Sequence, residues 1–531
     1  MYFFIICYAF IILYNFIKGK KAMHMLQQNL YNENNRYIKW MDKNIKTCFL
    51  HLDIASSIII LGSLILNNKL SNMLIIGAFI VYIMSGFIIL ETSKKEQVKK
   101  PLVITARVKR LIVTSLLLFL LPVLIYITNS NQMYLSLFML SLLTCLNYCV
   151  IYLAKVINTP VERLVYKKFY RQSQKKLKSM PNLKVVGITG SYGKTSSKNI
   201  LANILNTKYI ARPTPRNLNT EYGLMMTINN HLDKFDEILI AEMGAYKQGE
   251  IKTLCDMVHP KYGILTSIGT AHLESFGSEE NIQKTKFELI ESLPEDGIAI
   301  LNLDDKKQRE YDLKNNVKVI WIGINEKKAD VIATNIKCTN KGSKFDIKFK
   351  GDKKLYPFET KLLGNNNIYN ILASVALGHE LGMKIEELQQ GVRKVKSIEH
   401  RLELKQIGNI YMIDDAYNSN PVGAKSALDV LDMMDGTKVV VTPGMVELGD
   451  KQDEYNKEFG KQIATVADYV ILVGEKITKS IHEGLLESGY NKEKIYILND
   501  VTKAYPLIES LKKKKDIYAL FENDLPDNYN E

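Results

Sequence analysis

Residues 187–196 read Gly-Ile-Thr-Gly-Ser-Tyr-Gly-Lys-Thr-Ser, directly after the apolar run Leu183-Lys-Val-Val. Ile200, Leu201, Ile204 and Leu205 then recur on one helical face. A strand, a glycine-rich turn and Lys-Thr at a helix start is an arrangement that holds nucleotide phosphates. The turn's backbone N–H groups and the positive helix end face the anion, Lys194 neutralises phosphoryl charge, and the Thr195 hydroxyl can ligate Mg²⁺. ATP and Mg²⁺ are therefore the expected cofactors. The common phosphate-loop pattern has a Gly five positions before Gly193; this chain has Ile188 there, with glycines at 187 and 190.

The chain is 531 residues long with a formal charge of +14, which suggests a nucleic-acid binder until the charge is divided along the sequence. Residues 1–182 hold 23 Lys and Arg against 6 Asp and Glu, and the remainder holds 47 against 50. The whole excess lies in an apolar third, so membrane topology explains it better and no nucleic-acid partner is expected. Apolar runs at about 1–17, 49–66, 73–90, 111–127 and 134–154 approach the ~17–25 residues a bilayer-crossing helix needs. Connections 18–48 and 91–110 are rich in Lys and Arg, whereas 67–72 and 128–133 hold only Lys69. The alternation predicts five spans, the N-terminus outside, and everything after Lys155 in the cytoplasm. That is a multi-pass cell-membrane protein with lipid as a partner. His51 and Asp53 begin the second run, where interfacial solvation is the simplest reading. The six cysteines form neither a metal nor a disulfide pattern.

Beyond the last run, Val161, Leu164, Val165 and Phe169 recur at helical spacing among basic residues, predicting an amphipathic linker helix at 156–182 that Pro181 ends. From 183 to 397 short apolar runs alternate with helical patterns: Val185–Ile188, Glu237–Ala241, Tyr262–Thr266, Ile298–Leu303 and Val317–Ile322. This is the signature of a mainly parallel α/β sheet. Val331–Phe358 reads as an antiparallel addition. A second α/β unit occupies 398–531, with strands expected at Ile410–Ile413, Val439–Val441, Tyr469–Val473 and Tyr496–Leu498. The expected architecture is thus a five-helix transmembrane region (1–155), the linker, an α/β P-loop ATPase-type domain (183–397) and a C-terminal Rossmann-like α/β domain (398–531).

Two further residues sit where a phosphate-bridging metal would want them. Glu242 follows the strand at Glu237–Ala241, and His272 follows the next one; both lie at carboxyl ends of expected parallel strands. Taken with the phosphate loop, the sequence resembles the Mur ligase family, the ATP-dependent amide-forming enzymes of peptidoglycan precursor synthesis. The resemblance rests on Thr189–Ser196, Asn217-Leu-Asn-Thr-Glu-Tyr-Gly223, Glu242-Met-Gly-Ala, Ile268-Gly-Thr-Ala-His-Leu-Glu274 and Lys286 before Phe-Glu. It continues through Leu301-Asn-Leu-Asp-Asp305, His400-Arg-Leu-Glu403 and Asp414-Asp-Ala-Tyr-Asn-Ser-Asn-Pro421, in family order over residues 183–450. The Asn-Leu-Asn and Asp-Asp-Ala-Tyr-Asn stretches look closest to the branch that adds D-alanyl-D-alanine.

The resemblance implies specific roles. Gly190, Ser191, Gly193, Lys194, Thr195 and Ser196 would cradle ATP phosphates, and Thr195 with Glu242 would hold one Mg²⁺. His272 and a carbamylated Lys286 would lie near a second metal, with Lys194, Lys286 and His272 as the catalytic set. Asn302 would meet the adenine, Arg401, Asp415 and Asn418 would complete the nucleotide cleft from the C-terminal domain, and Asn217 and Asn219 would contact substrate. The implied reaction is ATP-driven amide formation on a peptidoglycan precursor through an acyl phosphate, with D-alanyl-D-alanine or another amine as donor. A lipid-linked acceptor is the first alternative. A P-loop-driven membrane transporter is another, although no Leu-Ser-Gly-Gly-type signature follows the loop. The chain departs from the family in three places. Membrane runs replace the uridine-nucleotide-binding first domain, Asn366 stands where a His is usual, and Ala519-Leu-Phe-Glu-Asn-Asp replaces a Lys-Gly-Ser type ending.

Overall fold

The computed structural model describes residues 2–31, 35–66, 68–95, 101–129, 132–270, 273–339, 341–397, 399–408, 410–416, 419–446, 448, 451–511 and 516–523. They divide into two compact units, residues 1–168 and 169–531.

The first unit is all helical: α1 (Tyr2–Gln28), α2 (His51–Gly62), α3 (Asn68–Lys95), α4 (Ala106–Thr128), α5 (Met133–Cys145) and α6 (Asn147–Lys178), with short helices between α1 and α2. Among the described residues, α3 and α4 are long and apolar enough to cross a membrane. The α5–α6 pair is a third candidate if it is one span, but its halves are bent by 85°. The expected run at 134–154 is therefore not one straight helix. Its second half continues without interruption into the expected linker, so α6 carries both the apolar and the basic stretch. The second run forms only the 12-residue α2, about 18 Å long at 1.5 Å per residue and short of a ~30 Å hydrocarbon core.

These helices share buried apolar residues, among them Ile11, Ile60, Ile75, Phe119 and Leu137, and a buried polar network crosses them. Asp53 on α2 is fully buried, not solvated at an interface as the sequence suggested, and pairs with Lys18 of α1 at 2.6 Å. Tyr14 and Ser85 donate to the other carboxylate oxygen at 2.6 and 3.1 Å. Lys18 also donates to the Thr144 carbonyl at 3.2 Å, where α5 ends, and Asn15 reaches the Thr144 hydroxyl at 2.8 Å. A cation at a helix's carboxyl end meets its unpaired carbonyls and the negative end of its dipole. The break between α5 and α6 is thus held from α1.

In the second unit, nine described strands form one sheet: β1 (Lys184–Thr189), β2 (Ala211–Pro213), β3 (Ile238–Glu242), β4 (Tyr262–Leu265), β5 (Ile298–Asn302), β6 (Lys318–Gly323), β7 (Val331–Thr339), β8 (Gly342–Phe349) and β9 (Tyr356–Thr360). The order is β2-β3-β1-β4-β5-β6-β7-β8-β9. Pairing is parallel through β7 and antiparallel for β8 and β9, as the alternating pattern of 331–358 implies. The helix after the glycine-rich turn, α7 (Lys194–Leu205), packs Ile200, Leu201 and Ile204 against Ile371, Leu372 and Val375 of α9 (Asn365–Glu380). Helix α8 (Glu279–Glu291) packs Leu289 under Gly187.

The second sheet contains β10 (Glu403–Ile407), β11 (Ile410–Asp415), β12 (Thr437–Thr442), β13 (Tyr469–Val473), β14 (Ile495–Leu498) and β15 (Ile517–Glu522), in the order β10-β11-β15-β12-β13-β14. Strands β2, β10 and β15 were not expected from the sequence. The last of these matters most: it enters parallel between β11 and β12, with Asp415 and Glu522 in register at its carboxyl end.

Candidate active site

The glycine-rich turn joins β1 to α7, and its geometry needs glycine. Gly190 and Gly193 take φ of 153° and 79°, and a Cβ on Gly190 would collide with the Thr266 hydroxyl. Ser191 is pinned by β4's continuation, its N–H donating to the Ser267 carbonyl at 2.8 Å and its hydroxyl to the Gly269 carbonyl at 3.1 Å. Lys194 opens α7 and folds back over the turn, donating to the Gly190 and Ser191 carbonyls at 2.6 and 3.2 Å. Ser196, one turn in, is half-buried. Burial and then the nearby Arg401 push Lys194 down to about 8, against the favourable pull of Glu242.

Lys286 reaches the same place from α8. It is only 3 % exposed, and its ammonium lies 5.5 Å above the Phe276 ring. Burial first, and Lys194 second, push its ammonium down to about 7, with Glu288 and Glu250 pulling the other way. Lys194, Lys286, Ser191 and Gly190 line one cleft together with Asn219, Gly244 and Tyr246.

Glu242 ends β3 beside that cleft and is 1 % exposed. Its Oε1 accepts from the Thr195 hydroxyl at 3.2 Å and from the Asn219 amide at 3.1 Å. Its Oε2 lies 2.8 Å from the Lys198 ammonium, an ion-pair contact without the alignment of a hydrogen bond. These groups suit Mg²⁺: neighbouring ligands about 2.1 Å from an octahedral ion sit roughly 3.0 Å apart, close to the Thr195–Glu242 oxygen separation. Among the described residues no cluster of three His, Cys, Asp or Glu occurs; Thr195 and Glu242 offer a metal one hydroxyl and one carboxylate.

The other expected residues are distributed as follows. Asn219 is at the cleft, whereas Asn217 is exposed, and its carbonyl accepts from the Asn219 N–H at 2.9 Å. Asn302 ends β5, and its side-chain oxygen accepts the Asp304 N–H at 3.0 Å, so part of its hydrogen-bonding capacity is used in its own turn. Arg401 and Asp415 belong to the C-terminal sheet. Asp415 accepts from the Leu402 N–H at 3.1 Å; burial raises it to about 6 despite the Arg401 charge. His272 and Asn418 lie outside the described residues.

Two groups at the site belong to no motif of their own. Lys198 follows Lys194 by four residues and therefore shares its helix face, a register visible in the sequence but common to many helical lysines. Glu522 is fully buried beside Asp415, accepting from the Ser419 hydroxyl at 2.6 Å, and burial followed by the Asp415 charge drives its carboxyl well up.

The Mur ligase middle domain matches residues 188–378, and the Mur ligase glutamate ligase domain matches 400–521. The UDP-N-acetylmuramoyl-tripeptide–D-alanyl-D-alanine ligase of Bacillus subtilis is 30% identical over 334 residues, covering 62% of this chain and 70% of that protein. Its Escherichia coli counterpart is 34% identical over 302 residues, covering 55% and 65%. Thus 30–35% of each relative's length has no counterpart in the alignment. Among solved structures, MurF from Acinetobacter baumannii superposes with a TM-score of 0.61 at 26% identity, covering 68% of this chain and 77% of that one. MurF ligase from Thermotoga maritima in complex with ADP gives 0.60 at 27%, covering 68% and 80%.

Proposed function

The chain belongs to the Mur ligase family, and we propose that it uses ATP to join an amine to a carboxylate of a peptidoglycan precursor, with D-alanyl-D-alanine as the amine donor. The observation that carries this reading is the convergence of Lys194 and Lys286 on one cleft, with the Thr195–Glu242 oxygen pair beside it. A carboxylate is a poor electrophile. Its oxygen attacks the γ-phosphorus of ATP, an acyl phosphate forms and ADP leaves; the amine then attacks the acyl carbon and inorganic phosphate departs.

In this reading the turn from Gly190 to Gly193, with Ser196 behind it, orients the phosphates through N–H groups and hydroxyls. Lys194 follows the transferring phosphoryl group, placed where charge develops. Thr195 and Glu242 would hold Mg²⁺, which when bound supplies charge neutralisation on the phosphate oxygens. Lys286, poised near neutrality, is suited to carbamylation, which would turn a cation that repels metal into an anionic ligand beside His272. Asn219, with Asn217 behind it, contacts the acceptor, and Asn302 the adenine. Arg401, Asp415 and Asn418 are brought over the nucleotide when residues 398–531 close on 183–397.

The acceptor is the UDP-N-acetylmuramoyl-tripeptide named in the relatives. A lipid-linked acceptor is a second reading, favoured by the two apolar helices long enough to span a membrane. The finer membrane assignment is also a proposal: the five apolar runs of 1–155 lie within the membrane, the short α2 and the bent α5–α6 pair held in place by neighbouring helices, with a basic linker to 182 and a cytoplasmic ligase, supported by the alternation of basic and uncharged connections. Supplying the full chain with ATP, D-alanyl-D-alanine and either soluble or lipid-linked acceptor, then weighing the products, tests the function. One ligated product with stoichiometric ADP is expected from one acceptor. ATP hydrolysis without any ligated product would count against the reading.

A further inference from the structure

Glu242 is buried, and an unaccompanied buried carboxylate would be strongly disfavoured as an anion. Here its compensation is built in. Lys198, itself 1 % exposed, brings its ammonium to 2.8 Å from Oε2 and donates to the Arg216 carbonyl at 2.5 Å, which fixes the ammonium from behind. The two carboxylate oxygens are therefore unequal. Oε2 is occupied by a protein cation, while Oε1 faces Thr195 and Asn219, and Asn219 lines the cleft. The β3 backbone is held as well, the Glu242 N–H donating to the Thr214 hydroxyl at 3.2 Å.

We propose that Lys198 is a positioning residue that restricts Glu242 to one metal-facing oxygen and cancels its charge until nucleotide phosphates arrive. The inference rests on the reading of Glu242 as a metal ligand. Two consequences follow from its chemistry. A carboxylate already neutralised attracts a free divalent cation weakly, so the metal enters with the nucleotide. A carboxylate confined to one oxygen suits Mg²⁺, which takes single carboxylate oxygens in an octahedral shell, and disfavours Ca²⁺, which readily accepts both. Lys198 shares a face with Lys194 but acts on Glu242, one helical turn behind the transferring group.

Titration of the nucleotide-free full chain with Mn²⁺, followed by loss of the free-ion electron paramagnetic signal, separates the possibilities. Calcium competition follows in the same samples. The natural protein is expected to sequester little Mn²⁺. Lys198→Met should bind one Mn²⁺ per chain at least about tenfold more tightly, with Ca²⁺ displacing it more effectively than Mg²⁺ does. Lys198→Arg should behave as the natural protein, and Lys198→Met with Glu242→Gln should lose the gain. Unchanged Mn²⁺ affinity in a folded Lys198→Met chain overturns the proposal. So does tight free-metal binding by the natural protein, which also decides the matter if the Met variant fails to fold. Because nucleotide-free metal binding is read independently of ligation, failure here leaves the ligase reading to its product assay.

Discussion

Lys286 should become a carbamate, and its surroundings set how readily. Its ammonium falls from an ordinary 10.5 to about 7 because burial removes it from water and Lys194 repels it. At pH 7 roughly half of the side chain is then the neutral amine that can attack CO₂, against about one part in three thousand for an ordinary lysine. The reactive pool is enlarged on the order of a thousandfold. Attack forms an N–C bond and releases one proton, leaving an anion where a cation would repel metal. Because the folded-state value is depressed, the lysine weakens the fold increasingly as pH falls from about 10 to about 7. In CO₂-free buffer, Lys286→Met should therefore raise stability at pH 7 by up to about 4 kcal/mol, while abolishing ligation. The carbamate carbon should appear by ¹³C NMR when the natural protein is given labelled bicarbonate and vanish in the variant. Short carboxylic acids should partly restore activity to Lys286→Ala, and bicarbonate should not. Full activity of the alanine variant without bicarbonate, or a less stable Met variant at pH 7, would refute the reasoning.

Lys194→Met should lower kcat by about 10²–10³ and, because burial holds that ammonium down at about 8, raise the thermal transition at pH 7 by the equivalent of roughly 3 kcal/mol, as calorimetry would report. Asp415 and Glu522 both have raised carboxyls in the folded chain, so both favour folding at low pH; the Asp415 contribution is lost as pH rises from about 4 through about 6, and that of Glu522 is lost as pH rises through its own raised range. Glu522→Gln, by removing one of the two charges, should raise the thermal transition at pH 7.5 and change it little at pH 4.5, measurable by thermal unfolding at both values. Asp53→Ala leaves Lys18 buried without its counter-ion and should cost about 3–5 kcal/mol in detergent-solubilised protein, with Lys18→Met restoring part of the loss.

The strands that carry the site were legible because each is an apolar run ended by a chemical residue: Thr189 before the turn, Glu242 after Ile238–Ala241, Asn302 after Ile298–Leu301. Strand β15 is not legible from the sequence because it pairs with residues 80 and 107 positions earlier in the chain, a non-local pairing that no periodicity announces. The partnership of Asp415 with Glu522 was hidden for the same reason. In the helical unit, hydropathy located the apolar runs but not the break at Leu146, since the residues stabilising it, Lys18, Asn15 and Asp53, belong to other helices. Lys198 shows a third kind of gap. Its helical register was plain, but its meaning depends on Glu242, 44 positions away.

The acyl-phosphate route is the central claim, and isotope transfer tests it directly. The acceptor is prepared with ¹⁸O in the reacting carboxylate and incubated with the full chain, ATP, Mg²⁺ and D-alanyl-D-alanine. Both the ligated product and the inorganic phosphate are then weighed. One ¹⁸O is expected in each phosphate released, one retained in the new amide, and one ADP per bond formed. Phosphate free of ¹⁸O alongside ligated product would contradict the acyl-phosphate route, because the carboxylate oxygen would never have been bonded to phosphorus.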